Sequence, residues 1–194
     1  DQAELEKSAL TDTLATVPGG TNLIDLDGLH TQQPSLAKAL AYQPGIVVQE
    51  FFGGNDQPRI NIRGSGIQDN PVNRGIQLLY DGLPLNQADG SFIIGLLDPE
   101  QAKFISVYRG ANAMRYGATT LGGAINLHAR HGANSPNSGV KLSGGSFGLV
   151  KGGLNVSEQL GAWDTHLNLG HYQQEGFRHH SQAQRNNLAF NAQI

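Results

Sequence analysis

The feature that most restricts this chain is a period-two alternation running through its last third. Val140 and Leu142 alternate with Lys141 and Ser143, and Leu154 and Val156 with Gly153, Asn155 and Ser157. Leu167 and Leu169 then alternate with His166, Asn168 and Gly170. Leu188, Phe190, Ala192 and Ile194 alternate with Asn187, Ala189, Asn191 and Gln193. Successive side chains of a strand point to opposite faces. Residues 140–143, 150–157, 165–173 and 187–194 are therefore four expected strands, each with one apolar and one small or polar face. They suit an antiparallel sheet with one greasy side. They equally suit the wall of an outer-membrane barrel, with lipid outside and water inside. Trp163 and Tyr172 fall near the two ends of one strand, where interfacial aromatics belong. Four strands cannot close a barrel, so on the barrel reading the chain is part of a longer wall.

Composition narrows the classes. Of 194 residues only 15% are charged, against about 25% in ordinary soluble proteins. Polarity comes instead from 15 Asn, 16 Gln and 26 Gly. A net charge of −3 leaves no basic footprint for nucleic acid. Mean hydropathy is −0.32, and no apolar run approaches the roughly 18 residues of a spanning helix. Recurring apolar runs at 45–48 and 75–80 argue against disorder. The absence of cysteine excludes disulfide scaffolds, thiolate metal sites, iron–sulfur clusters and cysteine nucleophiles. No charged and then apolar leader opens the chain, so any signal peptide is expected to have been removed already.

The organisation changes around residues 131–139, a Gly-, Asn-, Ser- and Pro-rich connector. Residues 1–133 carry 9 basic and 13 acidic side chains, and residues 134–194 carry 4 and 3. The first part mixes signals. Residues 1–20 are polar and end in a Val-Pro-Gly-Gly loop. A helix is expected after Pro34, with Leu36, Ala39 and Leu40 on one face, stopped by Pro44 and Gly45. Strands are expected at 23–26, 46–50, 59–63, 75–80, 104–108 and 121–127. A turn falls at Asp81-Gly82, and a helix start at Asp98-Pro99.

Several apparent motifs lack their context. The Gly-Gly-Ser-Phe-Gly run at 144–148 matches a nucleophile elbow, but strands flank it on both sides, so a hairpin turn is expected. Gly64-Ser-Gly66 has no third glycine and no following helix. His179 and His180 lack a third ligand at useful spacing and read as an exposed loop. His128 and His131 read as surface residues. No carboxylate pair is placed for catalysis, and no enzyme, cofactor or metal site is expected.

The order of motifs in the first part resembles the plug domain of TonB-dependent outer-membrane receptors. Ser-Leu-Ala-Lys-Ala-Leu at 35–40 followed by Gln-Pro-Gly-Ile-Val-Val at 43–48 resembles the plug's helix and "PGV" strand. Ile-Asn-Ile-Arg-Gly at 60–64 is similar to its "IRG" strand. Leu-Tyr-Asp-Gly-Leu-Pro at 79–84 is similar to its "DG-x-P" turn. Ile-Ser-Val-Tyr-Arg-Gly at 105–110 resembles the "vRGP" element, with Ala111 where the family has Pro. Residues 115–126 resemble "LYGSGALGGVINI".

The resemblance implies an α+β plug domain over residues 1–133, a small mixed sheet with short helices. Residues 134–194 would be the first antiparallel strands of an incomplete 22-stranded transmembrane β-barrel. It implies an outer-membrane receptor of a Gram-negative bacterium for TonB-dependent uptake of a metal chelate, a ferric siderophore or a ferric citrate-like complex. The implied partners are TonB, through an N-terminal segment with no recognisable box before Val17, the chelate, and outer-membrane lipid, with no nucleic acid. Ligand-facing apices map to 51–57, 64–73 and 86–92, giving Phe52, Asn55, Gln68, Asp69, Asn70, Gln87, Asp89 and Phe92. Arg63 and Arg109, each ending a strand before glycine, are the implied plug–barrel contacts. The alternative is a non-transporting soluble β-rich binding module whose last 57 residues fold as a small sheet alone.

Overall fold

The computed structural model describes residues 2–27, 36–49, 58–65, 74–93, 97–117, 120–176 and 182–194. The chain divides into two compact units. One consists of Glu4–Phe51 with Gln57–Ala129, and the other is built mainly from Arg130–Ile194. Among the described residues no helix is long and apolar enough to cross a membrane.

The first unit opens with helix α1 (Gln2–Ala15), where a polar segment was expected. Ala, Leu, Glu, Lys and Gln dominate it, and Gly and Pro are absent until Pro18, so local propensity suffices. It has no apolar stripe, which is why periodicity gives no signal for it. Leu14 docks its last turn beside Val17 and Leu23. Lys7 pairs with Asp25 at 3.1 Å. Strand β1 (Gly20–Asp25) follows, then helix α2 (Leu36–Ala41), β2 (Ile46–Gln49) and β3 (Arg59–Ile62). The next elements are β4 (Ile76–Tyr80), β5 (Leu83–Pro84), a 3-10 turn (Pro99–Gln101), β6 (Ala102–Arg109), a 3-10 helix (Gly110–Tyr116) and β7 (Gly123–Ala129). Asp98 caps the Pro99–Gln101 turn by accepting the Glu100 N–H at 3.0 Å, but the expected helix stops after that turn and becomes β6.

Five strands form a mixed sheet in the order β1-β6-β7-β4-β5. Only the β4–β7 pairing is parallel. Both faces of its centre are covered. Ile76, Leu78, Ile105, Val107, Ile125 and Leu127 pack with Leu36, Leu40, Ile46, Ile60 and Ile62 from α2 and the β2–β3 hairpin. On the other face, Leu79, Tyr108 and Ala124 pack with Leu14, Ala113 and Tyr116. Two-sided burial explains why β4 reads as an apolar run rather than an alternation. The Asp81-Gly82 turn closes the β4 end: both residues have positive φ, 48° and 79°. The Asp81 carboxylate accepts the Ala129 N–H at 2.8 Å, and the Gly82 N–H donates to Asn126 Oδ1 at 3.0 Å.

The second unit is a four-stranded antiparallel sheet in the order β8-β9-β10-β11, with β8 Gly139–Gly145, β9 Leu149–Leu160, β10 Trp163–Gln174 and β11 Ala183–Gln193. Its register aligns Val140, Leu154, Leu169 and Leu188 in one cross-strand row, and Val156, Leu167 and Phe190 in the next. This apolar face is open: Leu142 is 81% exposed, Leu188 70% and Phe190 65%. The opposite face carries Ser157, His166, Asn168, Asn187 and Asn191, and it is hydrogen-bonded. Ser157 Oγ lies 2.8 Å from His166 Nδ1, and Asn187 donates to Asn168 Oδ1 at 3.1 Å. The 144–148 run is a hairpin turn, with Phe147 and Gly148 at φ 61° and 67°.

Candidate functional site

The loop after β5 is held from beneath by Asn86. Its amide donates to the carbonyls of Ile76 (2.9 Å) and Gly90 (3.0 Å). Its Oδ1 accepts the Leu78 N–H (2.8 Å) and the Gln77 amide (2.9 Å). All of Asn86's strong donors and acceptors are engaged, so it shapes the loop rather than greeting a ligand. Beyond it, the Gln87 N–H donates to Ser91 O at 2.7 Å, and the Gly90 N–H to Gln87 O at 2.9 Å. This tight turn leaves Gln87 and Asp89 exposed.

Asp89 is fixed in place. Oδ1 accepts the Ser91 N–H (3.0 Å) and hydroxyl (2.6 Å), and Oδ2 accepts from Arg74 Nη2 (2.9 Å). The Ser91 hydrogen bonds, and then the Arg74 guanidinium, hold its carboxyl down at about 2. Arg74 and Asp89 keep about half of their side-chain surface open, at 56% and 51%.

Phe92 corrects the expectation placed on it. It is 0% exposed and packs in the main core with Ile76, Ile105 and Ile125. The turn at 87–91 ends with the chain diving back into the sheet, so the first apolar residue after it is a core anchor. Phe52, Asn55, Gln68, Asp69 and Asn70 lie outside the described residues, as do His179 and His180.

The two strand-end arginines are neighbours through glycine. Arg63, exposed and at φ 50°, passes over Gly110, the residue after Arg109. A Cβ on that glycine would stand 2.6 Å from Arg63 Nη1. Arg109 passes over Gly20, where a Cβ would stand 2.7 Å from its Nε. Its Nη1 donates to the Pro44 carbonyl at 2.5 Å, while its Nε is buried with no hydrogen-bond partner. The glycines following or facing these arginines thus make room for the guanidinium groups, a tertiary reason that spacing alone does not reveal.

Two histidines expected at the surface are half-buried. His128 Nε2 lies 2.9 Å from Ser106 Oγ, and burial pushes its imidazole below the usual value. His131 Nδ1 lies 2.8 Å from Asp164 Oδ2, and that carboxylate also accepts the Ala133 N–H. No group of three His, Asp or Glu side chains suited to a metal ion occurs among the described residues.

The first unit is thus a mixed-sheet body carrying an ordered polar loop, and the second a set of antiparallel strands with one exposed apolar face. The family model for the TonB-dependent receptor plug domain matches residues 13–124, and the chain belongs to that family. It is 26% identical over 153 residues to the ferrichrome outer membrane transporter/phage receptor of Escherichia coli K12, covering 77% of this chain and 20% of that protein. It is 28% identical over 191 residues to the vitamin B12 transporter BtuB of Vibrio vulnificus, covering 88% of this chain and 30% of that protein. In structure it resembles the pyoverdine-bound outer membrane receptor FpvA of Pseudomonas aeruginosa, with TM-score 0.67 and 19% identity over 90% of this chain and 25% of that one. The chain thus spans less than a third of the relatives it matches. These relatives are transporters and receptors rather than enzymes, and their location, the Gram-negative outer membrane, is that of this chain.

Proposed function

We propose that this chain is the plug and first wall strands of a receptor that takes up a metal chelate by TonB-dependent active transport, the chelate being a ferric siderophore or a ferric citrate-like complex. On this reading β8–β11 begin a barrel of about 22 strands, their apolar face against lipid and their polar face toward the lumen. The observation carrying the proposal is the conjunction, in one chain, of a plug-family match over 13–124 and a sheet whose open face is apolar. A soluble binding module would leave Leu142, Leu188 and Phe190 in water, an exposed patch that water-soluble monomers avoid.

In this reading Gln87 and Asp89 face the ligand, joined by Phe52, Asn55, Gln68, Asp69 and Asn70 from the neighbouring loops. Amides and an aromatic ring suit an oxygen-rich chelate, with hydrogen bonds to its rim and stacking on its face. Arg63 and Arg109 bear on carboxylates of the barrel wall. A guanidinium whose Nε is already desolvated, as in Arg109, gains most from such a partner. TonB engages a segment near the N-terminus and draws on it to release the ligand inward.

The test is uptake of radiolabelled ferric chelates by cells expressing the complete receptor. Accumulation of at least one chelate should require both the receptor and TonB. Equal uptake in cells lacking either one, across hydroxamate, catecholate and citrate complexes, would refute the proposal.

A further inference from the structure

We infer that the apolar face of β8–β11 carries a seat for one outer-leaflet lipid, a lipid whose acyl chain bears a hydroxyl close to its headgroup. The inference rests on the wall reading of these strands given above and is independent of which chelate the receptor takes.

The apolar face is interrupted in one row. Beside the row of Val140, Leu154, Leu169 and Leu188, register sets Leu142, Gly152, His171 and Asn186 next to one another. Gly152 has no side chain to fill its place, and a Cβ there would stand 3.4 Å from Leu142 Cδ2. The result is a shallow depression of about 580 Å³, within the roughly 300–1,000 Å³ of ligand clefts. Leu154, Leu169 and Leu188 line one margin, and His171 and Asn186 the other. Lys141, Lys151 and Arg185 fall on the opposite face by alternation. Among the described residues of β8–β11 this face holds no Lys or Arg, and its one carboxylate, Glu158, lies three rows inward. A phosphate therefore finds no partner at the depression, whereas a hydrocarbon chain does.

The polar pair is only half engaged. Asn186 Oδ1 can only accept, so its 2.6 Å contact with His171 Nδ1 places the ring proton on Nδ1. In the neutral imidazole this leaves Nε2 as an acceptor, beside Asn186 Nδ2 as a donor. Neither atom has a side-chain partner among the described residues. An unpaired polar group against hydrocarbon costs free energy that a hydrogen-bonded one does not. A hydroxyl supplies both missing functions, since it donates to Nε2 and accepts from Nδ2.

Depth selects the lipid. The β9–β10 turn spans two residues and the β10–β11 connection eight. Short turns face the periplasm and longer loops the exterior, so His171 lies toward the outer end of β10. It stands eight residues beyond Trp163, the aromatic at the inner end. That is about 26 Å along the strand at roughly 3.3 Å per residue, or about 20 Å of depth at a tilt near 40°. The apolar band of such walls is about 25 Å tall, which puts the pair just inside its outer margin. An outer-leaflet acyl chain presents a hydroxyl near its headgroup at that level and runs inward over Leu154 and Leu169.

The experiment takes the complete receptor, extracted from membranes into detergent, and measures bound lipid by native mass spectrometry. The probes are N-(β-hydroxymyristoyl)glucosamine and N-myristoylglucosamine, two uncharged molecules that differ by one hydroxyl. The hydroxylated probe should bind about fivefold tighter, roughly 1 kcal/mol, the net value of one hydrogen bond. Asn186→Leu should bring that preference to about one without lowering the affinity for the myristoyl probe. Gly152→Leu fills the depression and should weaken both probes alike, by about tenfold. Equal affinities in the wild-type receptor would overturn the inference, and so would a preference that survives Asn186→Leu. A receptor dimer dissociated by Gly152→Leu would also overturn it, since a second copy would then occupy the face. Heat-modifiable migration on gels separates the two readings. A wild-type receptor that never inserts removes the wall reading and the seat with it, whereas an inserted receptor with equal affinities removes the seat alone.

Discussion

At the residue scale, chemistry and position part company at 86–92. Seven residues that look alike as a polar loop divide into a scaffold (Asn86), an exposed pair of polar groups (Gln87 and Asp89) and a core anchor (Phe92). Phe92→Ala should therefore behave as a packing mutant. A buried Phe truncated to Ala costs about 3–5 kcal/mol, so the plug's thermal transition should fall in calorimetry, with the affinity of the surviving folded receptor changed little. A large loss of affinity without loss of stability would return Phe92 to the ligand surface.

His128 makes a second residue-scale prediction. Its folded-state pKa is lowered, first by burial, below the ordinary 6.5, so the folded form resists protonation. The unfolded chain then binds more protons between those two values, and stability rises with pH across that window. Acidification from 6.5 downward should weaken the plug until the folded pKa is passed. His128→Gln should flatten this slope in pH-dependent urea unfolding, and an unchanged slope would show that the titrating group lies elsewhere.

At the scale of elements, register decides what each strand presents. The row Val140, Leu154, Leu169 and Leu188 runs straight across four strands, and a one-residue slip would exchange it for Lys141, Asn155, Asn168 and Asn187. With lipid on the apolar face, a charge at its centre costs about 2–4 kcal/mol, while a lumen-facing position tolerates polar change. Leu169→Arg should thus cut the yield of heat-modifiable, membrane-inserted receptor, and Asn187→Ser should not. Equal yields from the two variants would argue that this face does not meet lipid. These four strands were legible because each buries at most one face, which leaves the alternation intact. Strand β4 was legible only as an apolar run and β7 as a strand behind two glycines, while β5, two residues long and exposed, carried no signal. Helix α1 was missed because it has propensity but no apolar stripe.

At the scale of the whole molecule, the low charge reported by composition separates into two kinds of surface. The plug unit carries exposed or half-exposed ion pairs in Lys7–Asp25 and Arg74–Asp89 and one with a buried lysine in Lys103–Asp27. The strand unit satisfies its polar face mainly with Ser, Asn and His. Arg130 onward belongs to the strand unit. The connector therefore folds with the four-stranded sheet: Asp164 accepts from Ala133, Ser157 Oγ donates to the Ser135 carbonyl, and Asn191 donates to the Arg130 carbonyl.

The sequence by itself determined most of the strands, the two faces of the last four of them and the family. These depend on local propensity, on period and on motif order, all of which are written along the chain. Tertiary structure alone decided which polar residues are free to act. Asn86 is spent on the Ile76 carbonyl and the Leu78 N–H, ten and eight residues away, Arg109 lies over a glycine 89 positions earlier, and Arg74 is neutralised by a carboxylate 15 positions later. Those pairings arise because the mixed sheet brings distant strand ends together, and no local pattern encodes that meeting.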